Sequence, residues 1–198
     1  MPIFKQLRAN DWEVRLAPYS VCRQIICAHH YTHTCGNTAT HTFGLYCRND
    51  LGTCRGAAMW LPPMRPVCAM YNARYGWDAD AGLSLSRLAI APDVPSNAAS
   101  FMLGQMHAYL RKEGRWQWCV TWADMREGHT GAIYKAANWT YDGVAPAAPV
   151  WVDGSGHPVS TRKGPARARA NRTTREMIEA GCMRLPSVGK HRYHKLIK

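Results

Sequence analysis

The hydrophobic residues of this chain fall into short runs, some with the alternating spacing of strands and some with the spacing of helices. Strand-like runs occur at residues 3–7, 42–48, 54–60, 83–91, 116–122, 139–141 and 150–152. Helical spacing begins after Pro18, where Tyr19, Cys22, Ile25 and Ile26 recur on one side. This order predicts a single α/β domain of the α+β type, with a mixed central sheet flanked by helices.

Two strand-to-helix segments have the clearest pattern. The strand at 83–91 leads through Ser96 and Asn97 into a helix with an apolar stripe, and the strand at 116–122 leads into a helix at about 128–137. Two such units side by side open a cleft at the carboxyl ends of their strands, where ligands often bind. The first turn of the helix near Ser96 also offers N–H groups to a phosphate. Along the strand, alternation places Leu85 and Ala89 on one face and Leu88 on the other.

Shorter signals predict the remaining elements. Residues 49–52 read as a turn and residues 61–66, rich in proline, as a surface loop. A short helix is predicted within 71–77, a hairpin turn at Asp153 and Gly154, and partly helical structure in 162–181. The last ten residues predict a further strand.

The positive charge of the chain is concentrated at its C-terminal end. The net charge is +12 over 198 residues, and residues 160–198 contain 11 Lys and Arg against 2 acidic residues. This extension therefore carries +9 and residues 1–159 only +3. We interpret 1–159 as the catalytic domain and 160–198 as a basic extension that contacts a polyanion, the alternative being a solvated tail. A membrane surface is disfavoured because the extension lacks an amphipathic aromatic stripe.

The eight cysteines indicate neither disulfides nor structural zinc. No Cys-x-x-Cys pair occurs, and the first twelve residues lack the apolar core of a signal peptide. A reducing compartment and buried, apolar cysteines are therefore expected. No run approaches the ~18 apolar residues of a membrane span. These features predict a soluble intracellular protein.

Polar side chains follow both strands of the two central units. Ser86 and Arg87 lie in the first unit, and Asp124, His129 and Tyr134 lie in or after the second. Asp124 follows its strand directly, which favours a functional carboxylate over a simple helix cap. A helical tyrosine such as Tyr134 is by itself most often a core residue with its hydroxyl at the edge.

Residues 27–33 concentrate imidazoles, with His30 and His33 flanking Tyr31. One hypothesis is that two of these histidines, together with a carboxylate from elsewhere in the chain, bind an iron ion. The alternative is that they are solvated or cap the end of the preceding helix. His41 and His107 stand alone and are interpreted as structural.

The two central segments, with several shorter motifs, resemble the Mom family of bacteriophage DNA-modification proteins. The matching residues span 29–143 and agree in their mutual spacing: His30-Tyr31-Thr32-His33, Phe43-Gly44-Leu45, Ser86-Arg87-Leu88, Asn97 with Ser100, Ala123-Asp124, Gly128-His129-x-Gly131, Ile133-Tyr134-x-Ala136-x-Asn138-Trp139 and Tyr141-x-Gly143.

The resemblance implies a fold, a reaction and a target. Mom-like proteins are viewed as members of the GNAT acetyltransferase fold, and they convert adenine in phage DNA to a carbamoylmethylated base that escapes host restriction enzymes. The strand at 83–91 would then be the central splayed strand and the helix from Ser96 would border the donor pocket. The usual GNAT phosphate loop is replaced by residues 92–97. The implied donor is therefore either acetyl-CoA or an aminoacyl-tRNA.

The resemblance implies a role for Tyr134. The hypothesis of an adenine-modifying enzyme assigns roles to the other residues, including those of the basic extension, which lies outside the matched part. Asp124 would be the base and Tyr134 the proton donor, with His129 as a further catalytic residue. Donor-binding residues would be Ser86, Arg87, Asn97 and Ser100. A flipped adenine would stack on Tyr31, Trp60 or Trp77, and the DNA backbone would contact Arg167, Arg169 and Arg172.

Two other functions stay open at this point. One is a DNA-binding protein without enzymatic activity on a GNAT-like scaffold, and the other is an acetyltransferase acting on proteins or small amines. For the enzyme, we expect double-stranded DNA and an acyl donor, either acetyl-CoA or an aminoacyl-tRNA, as partners, and no membrane. The host bacterial cytoplasm is the expected location, and the sequence makes no prediction of oligomeric state.

Overall fold

A computed structural model describes residues 6–146, 149–163 and 170–197. Its strands, numbered along the chain, are β1 (Trp12–Leu16), β2 (His41–Cys47), β3 (Asp50–Leu61), β4 (Gly82–Ile90), β5 (Trp118–Asp124), β6 (Thr140–Ala145), β7 (Val150–Val152), β8 (Pro158–Val159), β9 (Arg162–Lys163), β10 (Ala170–Asn171), β11 (Met183–Leu185) and β12 (Lys190–Leu196). The helices are α1 (Tyr19–His29), α2 (Arg65–Tyr75), α3 (Ala98–Glu113), α4 (Ala132–Ala136) and α5 (Thr174–Glu179).

Seven of these strands form one sheet in the order β1-β2-β3-β4-β5-β12-β6. Neighbouring strands run antiparallel, except that β4 and β5 are parallel. Because β4 leads into α3 and β5 leads towards α4, the two strand-to-helix units lie side by side, as the sequence predicted. The mixed α+β fold is confirmed.

Helices cover both faces of this sheet. The amphipathic α3 buries Met102, Leu103, Met106 and Leu110 against one face, in the main core. On the opposite face, α1 packs Cys22 and Ile26 against Ala57, Met59 and Ala89, and α2 packs Cys68 and Tyr71 against Trp118 and Val120. The two faces alternate along β3 and β5, as the period of a strand requires.

The parallel pair β4 and β5 separates halfway along its length. The strands pair from Gly82 with Trp118 only as far as Ser84 with Val120, although β4 continues to Ile90 and β5 to Asp124. A register shift against β3 at Ser86 marks a β-bulge at this point. Since a bulge bends its strand and increases the twist, it accounts for the divergence of β4 from β5.

The bulge also corrects the predicted faces of β4. Strict alternation separated Leu85 from Leu88, but both pack in or against the main core, while Ala89 packs with α1. The additional residue, Ser86, shifts every later side chain to the other face.

Three further predictions need correction. Residues 6–8 are not a strand and residues 1–5 lie outside the described part; the first strand is β1, at Trp12–Leu16. Residues 62–64 form a loop as predicted, but the helix α2 begins at Arg65, well before the predicted start at residue 71, and ends at Tyr75. Pro66 is tolerated there because the first turn of a helix lacks partners for its N–H groups.

The basic extension is not a separate unit in space. After β6 the chain forms a small lobe from the sheet β11-β7-β8, the pair β9-β10 and the helix α5, which begins with a capping box of Thr173 and Glu176. It then returns as β12, which lies between β5 and β6. The boundary drawn at residue 159 therefore cuts the main sheet, since the sheet needs residues 190–196.

All eight cysteines have free thiols. Within the described ranges, no helix is both long and apolar enough to cross a membrane.

Candidate active site

A cavity of about 610 Å³ lies where β4 and β5 separate. Residues 85–90 of β4 and 121–123 of β5 form its sides. His29 at the end of α1, His30, Tyr31 and His33 in the loop after it, and the segment 128–134 complete its lining. The opening of the sheet thus brings together residues as far apart in sequence as His29 and Tyr134.

Tyr134 contributes a buried hydroxyl to this cavity. The residue is only 8% exposed, and its ring packs against those of Trp139 and Tyr193, with centroids 5.6 and 5.3 Å away. The Thr121 hydroxyl lies 3.3 Å from the Tyr134 oxygen. Burial raises the pKa of Tyr134, although the hydrogen bond with Thr121 acts in the opposite direction. The phenol is therefore protonated at neutral pH and can donate a proton.

The C-terminal strand β12 supports the cavity wall next to Tyr134. The Tyr193 hydroxyl donates to the carbonyl oxygen of Thr130 at 2.8 Å. Gly131 follows with φ +75°, and a Cβ there would come within 2.3 Å of the Tyr193 ring. Only glycine satisfies both the left-handed backbone and the close approach. The turn that leads into α4 is therefore shaped to fit Tyr193.

Aromatic rings form the wall at the α1 end. The rings of His30 and Tyr31 stack with centroids 4.3 Å apart, and His129 meets Tyr31 edge to face at 5.3 Å. Burial lowers the pKa of His30 to about 4, with Arg87 and His129 adding to the effect. His30 is therefore neutral at physiological pH. Tyr31 remains 37% exposed, so its ring is open to a stacking partner.

Asp124 lies at the edge of the cavity, and three neighbouring groups surround its carboxylate. Its carboxylate pairs with Lys190 Nζ at 2.6 Å and accepts a hydrogen bond from the Arg126 N–H at 3.1 Å. The Tyr31 hydroxyl lies 3.5 Å away. Burial raises the pKa of Asp124, but Lys190 and Arg126 outweigh it and leave that pKa below its ordinary value. Asp124 thus caps the turn at 125–127, and its charge also faces Tyr31.

Arg87 brings a positive charge to the cavity without a matching carboxylate. Its Nε donates to the Thr34 carbonyl at 2.9 Å and its Nη1 to the Ser86 carbonyl at 2.7 Å. Within the described ranges, no acidic side chain lies in ion-pair distance of this guanidinium. The two carbonyls fix its orientation, and its remaining N–H groups are suited to an anionic or carbonyl oxygen.

Asn97 and Ser100 do not line the cavity. The Asn97 side chain accepts a hydrogen bond from the Leu7 N–H at 2.6 Å and donates to the Leu7 carbonyl at 3.4 Å. The Ser100 hydroxyl donates to the Asn97 carbonyl at 2.9 Å. The two residues tie the N-terminal segment to α3, and their predicted role in donor binding stays a prediction.

The iron hypothesis finds no support in the histidine cluster. His30 Nδ1 bonds to the Thr32 hydroxyl at 2.8 Å and His33 Nδ1 to the Cys27 carbonyl at 3.0 Å. Among the described residues, no three His, Cys, Asp or Glu side chains come close enough together to hold a metal ion. His30 and His33 instead shape the loop after α1.

Two other predicted stacking residues lie elsewhere. Trp60 is completely buried beneath α3, and Trp77 stacks on Tyr71 and Tyr75 beside α2. Of the three arginines predicted to contact DNA, Arg172 is exposed, while Arg167 and Arg169 lie outside the described residues. Tyr31 is thus the candidate for stacking that reaches the cavity.

The sequence analysis missed two residues of the site. Thr121 lies within a strand, where its hydroxyl has no local motif to mark it. Lys190 is 66 positions from Asp124 along the chain and comes into register with it through the pairing of β12 with β5. A signal for Lys190 existed only in the predicted C-terminal strand, whose partner the sequence did not reveal.

Comparison with known proteins relates the chain to a family. The family model described as Mom protein family matches residues 11–198. None of the curated proteins matches the chain.

Several solved structures share the fold. A ribosomal-protein-S18-alanine N-acetyltransferase from Escherichia coli is 10% identical with a TM-score of 0.53, covering 94% of each chain. An acetyltransferase of the GNAT family from Streptococcus pneumoniae is 9% identical with a TM-score of 0.52, covering 94% of this chain and 99% of that one. A spermidine N-acetyltransferase from Vibrio cholerae, in complex with CoA and spermine, is 8% identical with a TM-score of 0.50, covering 94% and 96%. The fold is therefore that of the GNAT acetyltransferases.

Proposed function

The chain belongs to the Mom protein family, and we propose that it is a phage DNA-modification enzyme that converts adenine in DNA to a carbamoylmethylated, N6-modified base. The modification would protect the phage genome from host restriction, in the cytoplasm of the host bacterium. The fold supports a transferase, because the similar solved structures are acetyltransferases.

The charge of the cavity is the observation that supports an adenine acceptor. Its described lining contains Arg87 and four histidines but neither Asp nor Glu, and Asp124 at the edge is already paired with Lys190. A polyamine or a lysine side chain is an ammonium ion at neutral pH and needs acidic partners when it is buried. The N6 amine of adenine is uncharged and needs none. The cavity therefore suits a nucleobase better than an alkylamine.

The divergence of β4 and β5 supports an acyl-CoA donor. Beyond Ser84, the edge of β4 that faces β5 has lost its partner strand. An extended chain with amide groups, such as the pantetheine arm of CoA, can hydrogen-bond to such an edge. The Vibrio cholerae neighbour is described with CoA. An aminoacyl-tRNA donor finds no comparable support.

The chemistry assigns a task to each end of the cavity. The adenine amine is a weak nucleophile, since its lone pair is delocalised into the ring, so a proton must leave as the new bond forms. We assign its removal to Asp124 and protonation of the leaving thiolate to Tyr134, as the N6–acyl bond forms and the thioester C–S bond breaks. This step yields an N6-acyl adenine, so the amide nitrogen and the N6–CH2 linkage of the carbamoylmethyl group require a separate step. Arg87 is suited to orient the donor through an oxygen atom. His129, beside Tyr31, completes the proposed catalytic group.

A duplex hides the adenine amine, so the base must be flipped out to react. Tyr31, backed by the stacked His30 ring, offers a face on which it can stack. The net +9 of residues 160–198 supplies non-specific affinity for the phosphates. The proposed partner is therefore double-stranded DNA.

Nucleoside analysis tests this proposal. The protein is expressed in bacteria, and digested DNA is examined by mass spectrometry for an adenine carrying the added group. The purified protein is also assayed with acetyl-CoA and either duplex DNA, spermidine or a lysine peptide. Modified adenine supports the enzyme. Tight DNA binding without modification favours a scaffold protein, and acetylation of the amines without DNA favours an amine acetyltransferase.

Removing charge from the extension is expected to weaken DNA binding for all sequences alike. In the variant with Arg167→Ala, Arg169→Ala and Arg172→Ala, the slope of log K against log salt concentration should decrease by ~0.9 for each lost phosphate contact. Fluorescence anisotropy across a salt series measures the slope. Arg48→Ala is the control, because Arg48 already pairs with Glu13 and lies far from the extension in sequence. An unchanged slope in the triple variant excludes these arginines from the interface.

Loss of the Tyr31 ring is expected to impair capture of the base. Stacking on an aromatic side chain contributes roughly 1–3 kcal/mol per base, so Tyr31→Ala should weaken binding of a duplex with a mismatched adenine by about 5- to 150-fold. Tyr31→Phe keeps the ring and should bind like the parent protein. The mismatched and fully paired duplexes are compared by anisotropy. Equal losses in Ala and Phe variants would show that the hydroxyl matters rather than the ring.

A further inference from the structure

Thr121 lies between two oxygen atoms at the point where β4 and β5 separate. Its Oγ1 is 3.2 Å from the Leu85 carbonyl oxygen and 3.3 Å from the Tyr134 hydroxyl oxygen. Thr121 is 1% exposed and Tyr134 is 8% exposed. The three groups thus form a short hydrogen-bonded row across the inner end of the cavity.

The row has two possible directions, because a threonine hydroxyl carries a single proton. When Thr121 donates to the Leu85 carbonyl, its oxygen can accept the proton of Tyr134. When Thr121 instead donates to the Tyr134 oxygen, Tyr134 is free to donate into the cavity. The change requires only rotation about the Cβ–Oγ1 bond, and the β-branched side chain itself stays fixed in the strand.

We propose that Thr121 is a positioning residue whose hydroxyl turns from Leu85 to Tyr134 when Tyr134 gives its proton to the leaving group. This inference rests on the proposed function, in which Tyr134 protonates a departing thiolate. In that step the bond from N6 to the acyl carbon forms, and the thioester C–S bond breaks with its electron pair leaving on sulfur. The Tyr134 O–H bond then breaks as an S–H bond forms on the thiol, and the electron pair of the O–H bond stays on the Tyr134 oxygen. The proton of Thr121 remains on Oγ1 throughout. Water reprotonates Tyr134 after the product leaves.

Burial gives this hydrogen bond its importance. A phenolate in an apolar pocket is destabilised, and burial accordingly raises the pKa of Tyr134, whereas the bond with Thr121 lowers it. The rings that face Tyr134 on neighbouring elements are Trp139 and the phenol of Tyr193, and neither carries a positive charge. Across the cavity lies Tyr31, a further phenol. Thr121 is therefore the polar group placed to stabilise a phenolate.

The first test measures Tyr134 itself and needs no substrate. The protein is labelled with 3-fluorotyrosine, whose phenol is more acidic than that of tyrosine, and each residue is titrated by fluorine NMR. The signal of residue 134 is identified by its absence in Tyr134→Phe. Thr121→Val has the same shape without the hydroxyl, and it is expected to raise the pKa at residue 134 by about one or more, since a hydrogen bond to a charged group is lost. Thr121→Ser should restore the parent value.

The second test concerns the reaction. Thr121→Val is expected to lower kcat by about 10- to 100-fold with little change in KM for DNA, because the bond acts after substrate has bound. In the Tyr134→Phe background the same change should have no further effect. An aryl thioester, whose thiol leaves without protonation, should reduce the defect.

The two tests separate the possible failures. An unchanged pKa at residue 134 in Thr121→Val overturns the role of Thr121, whatever the reaction is. Absence of modified adenine with the parent protein overturns the proposed function, while the titration still decides the hydrogen bond. If Thr121→Val does not fold, Thr121→Ala removes the same hydroxyl from a smaller side chain and is titrated in its place.

Discussion

Replacing Tyr134 by Phe is expected to remove most of the adenine modification while the protein stays folded. The change deletes one oxygen atom from a residue whose ring packs against Trp139 and Tyr193. The lost hydrogen bond with Thr121 is neutral and costs about 1 kcal/mol of stability. A general acid, in contrast, typically accelerates a reaction by 10²–10⁴-fold. Activity and stability should therefore respond very differently.

Melting temperature, DNA affinity and modified adenine are measured on one preparation of each variant. A Tyr134→Phe protein that is stable, binds DNA and still modifies adenine at the parent rate contradicts the assignment. If Tyr134 were only a core residue, activity would decrease no more than the amount of folded protein. Tyr46→Phe is a suitable control, since Tyr46 is also a buried tyrosine but packs against α1 and does not line the cavity.

Asp124→Asn extends the same experiment to the proposed base. The lowered pKa of Asp124 keeps it ionised, and a weak base is sufficient because the N6 proton becomes acidic as the nitrogen bonds to the donor. Asn retains the cap on Arg126 but cannot take a proton, so a loss of ~10²–10⁴ in rate is expected. If both groups act on one transition state, the rate of the double variant should be much higher than the rate obtained by multiplying the two single losses.

The sequence was informative about the site because its residues follow two adjacent strands. Arg87, His129 and Tyr134 all line one cavity with Tyr31, as expected when neighbouring parallel strands end on one side of a sheet. The resemblance to a family added Tyr31, which no strand pattern marks.

The geometry that opens the cavity could not be predicted from the same pattern. A bulge is one additional residue, and in an apolar strand such as β4 the hydrophobic side chains on both faces hide it. Leu85 and Leu88 therefore looked like opposite faces, whereas the insertion of Ser86 brings them together. The alternation rule fails at the residue that separates the strands.

Pairing between distant strands was the second feature that the sequence pattern could not predict. The last ten residues were predicted as a strand, but local spacing says nothing about its partners. Its insertion between β5 and β6 places Lys190 against Asp124 and Tyr193 against Gly131. The sequence analysis placed this strand in a DNA-binding extension because of its positive charge. Composition counts basic residues but does not show which of them are buried or paired inside the fold.

Asp142→Asn is expected to cause the largest loss of stability among these substitutions. The Asp142 side chain is 2% exposed and bonds to Tyr71, Arg74 and Arg192 at 2.8, 2.6 and 2.7 Å. It thus joins β6 to α2 and β12. Removing one partner of a buried ion pair costs about 3–5 kcal/mol. Because Arg74 is half-exposed, we expect a decrease near the lower end, ~3 kcal/mol, in the free energy of unfolding.

The pH dependence of the unfolding free energy tests whether loss of the Asp142 charge causes this decrease in stability. Burial raises the pKa of Asp142, but the Tyr71 hydroxyl and Arg192 outweigh it, so that pKa lies below the ordinary value. A carboxyl group with a lowered pKa contributes its full stability above the ordinary Asp value of about 3.9 and loses it as the pH falls through the lowered one. The difference in unfolding free energy between the parent protein and Asp142→Asn should therefore be constant near neutral pH and shrink in acid.

Urea denaturation over a pH series measures this difference. Glu179→Ala is the control, since the exposed pair of Glu179 with Arg175 contributes at most ~0.5 kcal/mol. A difference that persists unchanged below the lowered pKa would attribute the loss to packing. Since β12 also supports the cavity through Tyr193 and Lys190, a real loosening of this strand should reduce adenine modification along with stability.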